Sequence, residues 1–117
     1  MPNNKKILII EDEIDLCLLL KDYFLRKNYE VMVSHTLNEG KALLVSGMPN
    51  ILFLDNNLPD GTGWSAAPAI AKDFPNLFIV LISAFHPSMP QMPPNAKYSA
   101  LEKPISFTDL DKQFSNF

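Results

Sequence analysis

The stretch ILFLDNNLPDGTG, residues 51–63, decides the fold of this 117-residue chain. Four apolar residues lead directly into the carboxylate of Asp55, and a turn rich in proline, aspartate and glycine follows. A short apolar run bounded by turn residues is typical of a strand that is buried on both faces of a parallel sheet. We therefore expect Asp55 at the carboxyl end of a central strand, as either a turn residue or a reactive group.

Outside this stretch, strand and helix patterns alternate along the chain. Apolar and β-branched runs predict strands at residues 7–10, 29–33, 51–54, 77–82 and 99–102, and helical periodicity predicts helices that begin at residues 14, 37, 64 and 107. Such alternation favours the α/β class, with a parallel sheet covered by helices on both faces. Right-handed crossovers then bring the carboxyl ends of the strands to one edge, where ligands bind in open α/β sheets.

Two segments allow more specific predictions. The first helix is expected to turn one apolar face to the sheet, formed by Ile14, Cys17, Leu18, Lys21, Phe24 and Leu25 and widened by Leu16, Leu20 and Tyr23. The segment 86–95 contains four prolines. Because a proline costs about 3 kcal/mol in a helix interior, this segment is predicted to be a loop or a single helical turn.

Composition limits the class of protein. A length of 117 residues suits one domain, and the net charge of −3 argues against direct nucleic-acid binding. The single cysteine, Cys17, excludes an intramolecular disulfide framework. The apolar run at residues 7–10 is too short for a signal peptide or a membrane helix. These features predict a cytoplasmic protein without membrane insertion.

Polar side chains follow four of the predicted strands. They are Glu11 and Asp12, then Asp55, Ser83 and Lys103. Two carboxylates about 4 Å apart repel by roughly 4 kcal/mol at an effective dielectric constant of 20, and a hard divalent cation such as Mg²⁺ relieves this repulsion. A cation, an ammonium and a hydroxyl around one carboxylate suit a phosphoryl group, which makes Asp55 a candidate nucleophile.

Each of these residues also has a simpler interpretation. The acids at residues 11–13 could only favour the N-terminus of the following helix, where the helix dipole attracts negative charge. Ser83 could be a satisfied buried hydroxyl, and Lys103 could be a solvated lysine before Pro104. Convergence of all five side chains in one place would favour the phosphoryl site over these alternatives.

The same motifs carry a family resemblance. Glu11-Asp12 after an apolar run, Asp55 before NNLPDGTG, Ser83-Ala84 and Lys103-Pro104 occur in the order of the response-regulator receiver domain of two-component signalling. The resemblance covers nearly the whole chain, which we interpret as a single receiver domain over residues 1–117. It implies a doubly wound, five-stranded parallel sheet in the order 2-1-3-4-5.

The resemblance also implies roles for individual residues. Asp55 would accept a phosphoryl group from a histidine kinase or a histidine phosphotransfer protein. Mg²⁺ would be held by Asp12, Asp55 and the backbone carbonyl of Asn57, with Glu11 acting through water.

Lys103 would pair with the phosphate, its bond to Pro104 would be cis, and Ser83 would move to meet a phosphate oxygen. Such a domain is a phosphoacceptor rather than an enzyme with a separate substrate, although it can catalyse its own phosphorylation and dephosphorylation. An output protein or domain would read the change, and a homodimer is possible.

One region departs from the family pattern. The family usually has a tyrosine or phenylalanine three residues before the lysine, and this chain has Ala100. An alternative function is therefore a receiver-like module that binds proteins without phosphorylation. A phosphatase of the haloacid dehalogenase type is disfavoured, because such enzymes need a second acid where this chain has Asn57.

Overall fold

The computed structural model describes residues 5–85 and 88–115. Its strands are β1 (Lys6–Ile10), β2 (Glu30–Ser34), β3 (Ile51–Asp55), β4 (Asn57–Leu58), β5 (Gly61–Thr62), β6 (Phe78–Ser83) and β7 (Lys97–Glu102). Five of them form a parallel sheet in the order β2-β1-β3-β6-β7. This is the predicted order 2-1-3-4-5, because β4 and β5 form a separate two-stranded hairpin directly after Asp55.

The helices are α1 (Ile14–Arg26), α2 (Leu37–Gly47), α3 (Gly63–Asp73) and α4 (Phe107–Phe114). One buried cluster joins α1 and α4 to one face of the sheet, and a second cluster joins α2 and α3 to the other face. The doubly wound prediction is confirmed. The observed ends differ from the predicted ones by one or two residues; α2, for example, includes Gly47, and Met48 is its C-cap residue with a φ of 48°.

Strands β1, β3 and β6 lie at the centre of the sheet and are almost wholly buried. Phe24 of α1 is a centre of the first cluster, and its ring contacts the rings of Tyr23, Tyr29, Phe53 and Phe114 at centroid distances of 5.1 to 5.6 Å. Burial of one such side chain stabilises the fold by about 1.5–3 kcal/mol. This aromatic packing fixes α1, and with it the loop that carries the acids of residues 11–13.

The predicted buried face of α1 was partly wrong. Its buried residues are Leu16, Cys17, Leu20, Tyr23 and Phe24. Ile14, Leu18 and Leu25 are 57%, 60% and 49% exposed. Two apolar stripes overlap on this helix, and tertiary packing selects the one from which Tyr23 can donate a hydrogen bond to Asp111 of α4 at 2.7 Å.

The proline-rich connection forms no helix or strand between residues 88 and 96. The prediction of a loop is confirmed for this part, while His86 and Pro87 lie outside the described residues. Met92 and Ala96 cover some of the sheet face that α3 covers elsewhere. The following strand, β7, is an edge strand, and its Tyr98, Ala100 and Glu102 are exposed on that same face.

No helix among residues 5–85 and 88–115 combines the length and the apolar composition that a membrane span requires.

Candidate functional site

A cavity of about 390 Å³ lies at the carboxyl edge of the sheet. Its lining includes Asp12, Asp55, Asn57, Ser83 and Lys103, and we call it the acidic cavity. The strands are parallel, so their carboxyl ends bring these positions together although the first and the last are 91 positions apart in the sequence. The convergence that the sequence predicts is therefore observed.

Asp55 is the last residue of β3 and is only 2% exposed. Its Oδ1 lies 3.4 Å from the Nζ of Lys103, whereas its Oδ2 is buried without a hydrogen-bond partner among the described residues. Burial raises the pKa of this carboxyl group, while Lys103 and the backbone N–H of Asn57 act in the opposite direction. A buried oxygen without a partner is costly unless a ligand completes the site.

Glu11 and Asp12 come from the end of β1. Together with Asp55 they present carboxylate oxygens that all lie within 4.8 Å of one another. Glu11 is fully buried, and this burial raises its pKa to about 7. Such a donor set, together with the Asp55 oxygen that lacks a partner, fits a hard divalent cation such as Mg²⁺.

Lys103 neutralises part of this negative charge. Its Nζ lies 2.7 Å from Glu13 Oε1 and 3.0 Å from Glu11 Oε1, in addition to its contact with Asp55. Burial lowers the pKa of Lys103, but the hydrogen bonds to Glu13 and Glu11 and the charge of Asp55 outweigh it and raise the pKa overall. The bond between Lys103 and Pro104 is cis, as predicted.

The backbone around Asp55 is tightly constrained. The N–H of Gly63 donates to the carbonyl of Asn56 at 2.9 Å, and the N–H of Asn56 donates to the carbonyl of Ile82 at 3.1 Å. A Cβ atom on Gly63 would lie 2.0 Å from the carbonyl oxygen of Asp55. Glycine is therefore required at residue 63 by the close approach of α3 to the end of β3.

Ser83 lines the cavity but is not directed at Asp55. It is 7% exposed, and its hydroxyl donates a hydrogen bond to the backbone carbonyl of Phe85. Its own carbonyl accepts a hydrogen bond from the N–H of Lys103 at 2.7 Å. Ser83 is thus linked both to the lysine loop and to the residue that begins the proline-rich connection.

Sequence reasoning missed two residues that shape the site. Glu13 makes the shortest contact with Lys103, and only its place in the acidic run 11–13 hinted at this. The carboxylate of Asp60 accepts hydrogen bonds from the N–H groups of Leu37 (2.7 Å) and Asn38 (2.9 Å). It thereby joins the turn after Asp55 to the N-terminus of α2, over a sequence separation that no local pattern reveals.

The comparison with protein families agrees with this geometry. Residues 7–115 match the family model described as the response regulator receiver domain. The chain belongs to this family. It is a receiver domain of the kind found in two-component response regulators, and its similarity to the family extends across every element of the sheet.

Individual relatives show how far the likeness reaches. A receiver domain protein described as CheY-like, from Methanospirillum hungatei JF-1, superposes with a TM-score of 0.82 at 22% identity, over 97% of this chain and 92% of that one. The signal receiver domain of a putative Luxo repressor protein from Vibrio parahaemolyticus gives a TM-score of 0.78 at 22% identity, over 97% and 88%. At such identities these structures show the fold alone.

A sequence relative extends the comparison. An uncharacterized transcriptional regulatory protein of Bacillus subtilis (strain 168), YvcP, is 32% identical over 76 residues, which cover 63% of this chain. The matched part is 32% of the length of that relative. The matched segment of this chain thus spans about a third of the length of that relative.

Proposed function

We propose that this receiver domain accepts a phosphoryl group on Asp55 and that the modification changes a surface read by an output protein or domain. The observation that carries the proposal is the acidic cavity itself. It places a buried carboxylate, two further acids and one lysine around space for a small anion and a cation. The donor would be the phosphohistidine of a histidine kinase or of a histidine phosphotransfer protein.

Phosphoryl transfer to Asp55 forms one bond to phosphorus and breaks another. A carboxylate oxygen of Asp55 forms a bond to phosphorus while the bond between phosphorus and the donor imidazole nitrogen breaks. The electron pair stays on that nitrogen, and the leaving imidazole takes up one proton from water. The Lys103 ammonium, already 3.4 Å from Asp55 Oδ1, is placed to stabilise negative charge on the phosphoryl oxygens.

Mg²⁺ would neutralise charge on the phosphoryl group and on the carboxylates when it is bound. Asp12 and Asp55 would hold it, with the backbone carbonyl of Asn57 as a third donor and Glu11 acting through water. The mutual proximity of the acidic oxygens supports this assignment.

The domain is proposed to work as a cytoplasmic switch rather than as an enzyme with a separate substrate. Phosphorylation replaces the single negative charge of the Asp55 carboxylate with the about 1.5–2 negative charges of a phosphoryl group at neutral pH, and it adds three acceptor oxygens. Ser83 lines the acidic cavity and would offer its hydroxyl to the phosphoryl group, and β7 and the proline-rich connection are next to it. We propose no direct nucleic-acid contact. A homodimer formed through the changed surface is one possible form of the output.

One observation favours a second candidate function. The exposed face of β7 around Ala100 is available without phosphorylation, so the domain could bind a partner constitutively. The two functions differ in what the partner requires. A switch needs the state of Asp55 to change, whereas a constitutive module does not.

The test uses Mg²⁺ with acetyl phosphate, followed by intact mass spectrometry, and Mg²⁺ with beryllofluoride, followed by Trp64 fluorescence. Trp64 is suitable because it is the chain's one tryptophan and its indole N–H donates to the carbonyl of Ile82 beside Ser83. We expect a mass increase of one phosphoryl group and a fluorescence change.

Asp55→Asn should abolish both signals, and Asp73→Asn, at the end of α3 and away from the cavity lining, serves as the matched control. Absence of both signals in the wild-type protein would contradict the switch and support the constitutive module.

A further inference from the structure

A second cavity adjoins the acidic cavity on the β6–β7 side. It has a volume of about 230 Å³ and is lined in part by Trp64, Met89, Ala100 and Leu101; we call it the Ala100 cavity. Ser83 and Phe85 line both cavities. These two residues therefore connect the phosphoacceptor site to a largely apolar space.

Phe85 is unusual among the aromatic residues of the described chain. The residue is 81% exposed, although a ring-sized apolar space lies beside it. Its backbone carbonyl is held by the hydroxyl of Ser83. In this state the backbone of residue 85 is tied to the lip of the acidic cavity.

The serine hydroxyl has one hydrogen and can donate only one hydrogen bond at a time. Phosphoryl oxygens on Asp55 would be charged acceptors, and hydrogen bonds to charged acceptors are about twice as strong as those to neutral carbonyls. A phosphoryl group would therefore draw the Ser83 hydroxyl away from the carbonyl of Phe85. Phe85 then loses the contact that holds its backbone in place.

We propose that Phe85 is the switch residue of this receiver, meaning the aromatic side chain that moves on phosphorylation: when Ser83 turns to the phosphoryl group, the Phe85 ring leaves the surface and fills the Ala100 cavity. This rests on the proposed phosphorylation of Asp55 and specifies how it is relayed. The cavity is open because the side chain of Ala100 on β7 is only a methyl group. The ring that fills it comes from the segment after β6.

The size and the chemistry of the Ala100 cavity suit the phenyl ring of Phe85. An apolar cavity of about 150 Å³ is enough to bind benzene in a protein interior, so the Ala100 cavity has room for a phenyl group. Trp64 and Met89 at its wall are good partners, because aromatic rings and thioethers pack favourably with a phenyl ring. Phosphorylation would thus remove a large exposed apolar side chain from the surface beside β7.

The experiment is ¹⁹F NMR on the protein labelled with fluorophenylalanine at its eight phenylalanines, with the Phe85 signal assigned through Phe85→Leu. The chemical-shift difference between H₂O and D₂O reports the solvent exposure of each ring. Mg²⁺ and beryllofluoride are then added, and the bound fluorides appear in the same spectrum. We expect the Phe85 difference to fall toward the value of buried Phe53, while that of Phe107 in α4, which packs on the opposite face, stays constant.

Ala100→Phe fills the cavity and is the decisive variant. It should still bind beryllofluoride, but its Phe85 signal should remain that of an exposed ring. Burial of Phe85 in this variant as well would mean that the ring covers the acidic cavity instead, and this would overturn the proposal.

Failure of the inference and failure of the proposed function are distinguishable. Bound fluoride signals with an unchanged, exposed Phe85 would overturn the switch residue alone. A wild-type spectrum without bound fluoride would overturn the phosphoacceptor function and, with it, this relay.

Discussion

The two sides of the acidic cavity are built differently. On the β1–β3 side, Glu11 and Asp55 are buried, Lys103 contacts three carboxylates, and Gly63 packs against the backbone of Asp55. On the β6–β7 side, the connecting segment forms no helix between residues 88 and 96, and β7 is an exposed edge strand beside an open cavity. Chemistry requires a rigid, desolvated site, whereas a relay requires groups that can move. The β1–β3 side of the acidic cavity therefore meets the requirement for rigidity, and the β6–β7 side meets the requirement for movement.

The contrast predicts that substitutions on the β1–β3 side cost more than those on the β6–β7 side. The largest effect is expected for Gly63→Ala, because the new methyl group would meet the backbone carbonyl of Asp55, which cannot move aside. Overpacking of this kind costs about 3 kcal/mol of unfolding free energy, measured by urea denaturation.

Gly47→Ala is the matched control for this substitution. Its new methyl group would meet only the end of the Met32 side chain, which is flexible, so we expect a cost below about 1 kcal/mol. Equal costs for the two alanine substitutions would show that the backbone at Asp55 is not rigid.

Glu11, on the β1–β3 side, makes the stability of the folded protein depend on pH. An unperturbed glutamate carboxyl group has a pKa of 4.5, whereas the pKa of Glu11 is about 7, because the folded protein buries the group. Between these pH values the folded state binds more protons than the unfolded state, so stability without Mg²⁺ should fall as the pH rises from 4.5 to 7. We expect a loss of about 2.5–3 kcal/mol, since the two pKa values differ by about 2.5 units, one unit corresponds to about 1.4 kcal/mol, and the group is half titrated at each end of this range.

Urea denaturation at several pH values measures this slope, and Glu11→Gln should flatten it because the amide does not titrate. Glu39→Gln is the control, since Glu39 is an exposed acid on α2. A slope of the same size in Glu11→Gln would assign the pH dependence to another group.

A smaller effect is expected for Asp60. Asp60→Ala removes the acceptor for the N–H groups of Leu37 and Asn38, so α2 loses its link to the hairpin after Asp55. We expect a lower Tm and weaker Mg²⁺ binding, read from Trp64 fluorescence. Asp60→Asn retains one of the two acceptor oxygens, so its Tm and Mg²⁺ affinity should lie between those of the wild type and of Asp60→Ala. An unchanged Mg²⁺ affinity in Asp60→Ala would show that the hairpin after Asp55 does not influence Mg²⁺ binding.

The smallest effect on stability is expected on the β6–β7 side. Phe85→Ala truncates a residue that is 81% exposed, so the unfolding free energy without beryllofluoride should change by no more than about 0.5 kcal/mol. Urea denaturation measures this change. A large loss would show that the ring already packs in the unphosphorylated state, and the contrast between the two sides would weaken.

The sequence predicted the elements, and the convergence of the candidate site residues, because those signals are local. An apolar run that ends in an acid predicts both a buried strand and a charged group at its carboxyl end, as at Asp55. Parallel strands share their carboxyl edge, so strand assignment alone implied that Glu11, Asp12, Asp55, Ser83 and Lys103 would converge.

Features that depend on the orientation of a whole element were not predictable in this way. The apolar periodicity of α1 was compatible with two faces, and only packing against β1 and α4 exposed Leu18 and buried Leu20. The contact of Asp60 with the N-terminus of α2 joins residues more than twenty positions apart, and no composition signal marks it.

What the sequence determined by itself was the order of strands and helices and the residue types at each strand end, because hydrophobic periodicity and turn chemistry act between near neighbours. Only the tertiary structure decided which oxygen of Asp55 lacks a partner, how Lys103 is shared among three acids, and that a cavity opens over Ala100. These depend on distances between elements, which are fixed when the helices pack on the sheet and water is excluded from between them.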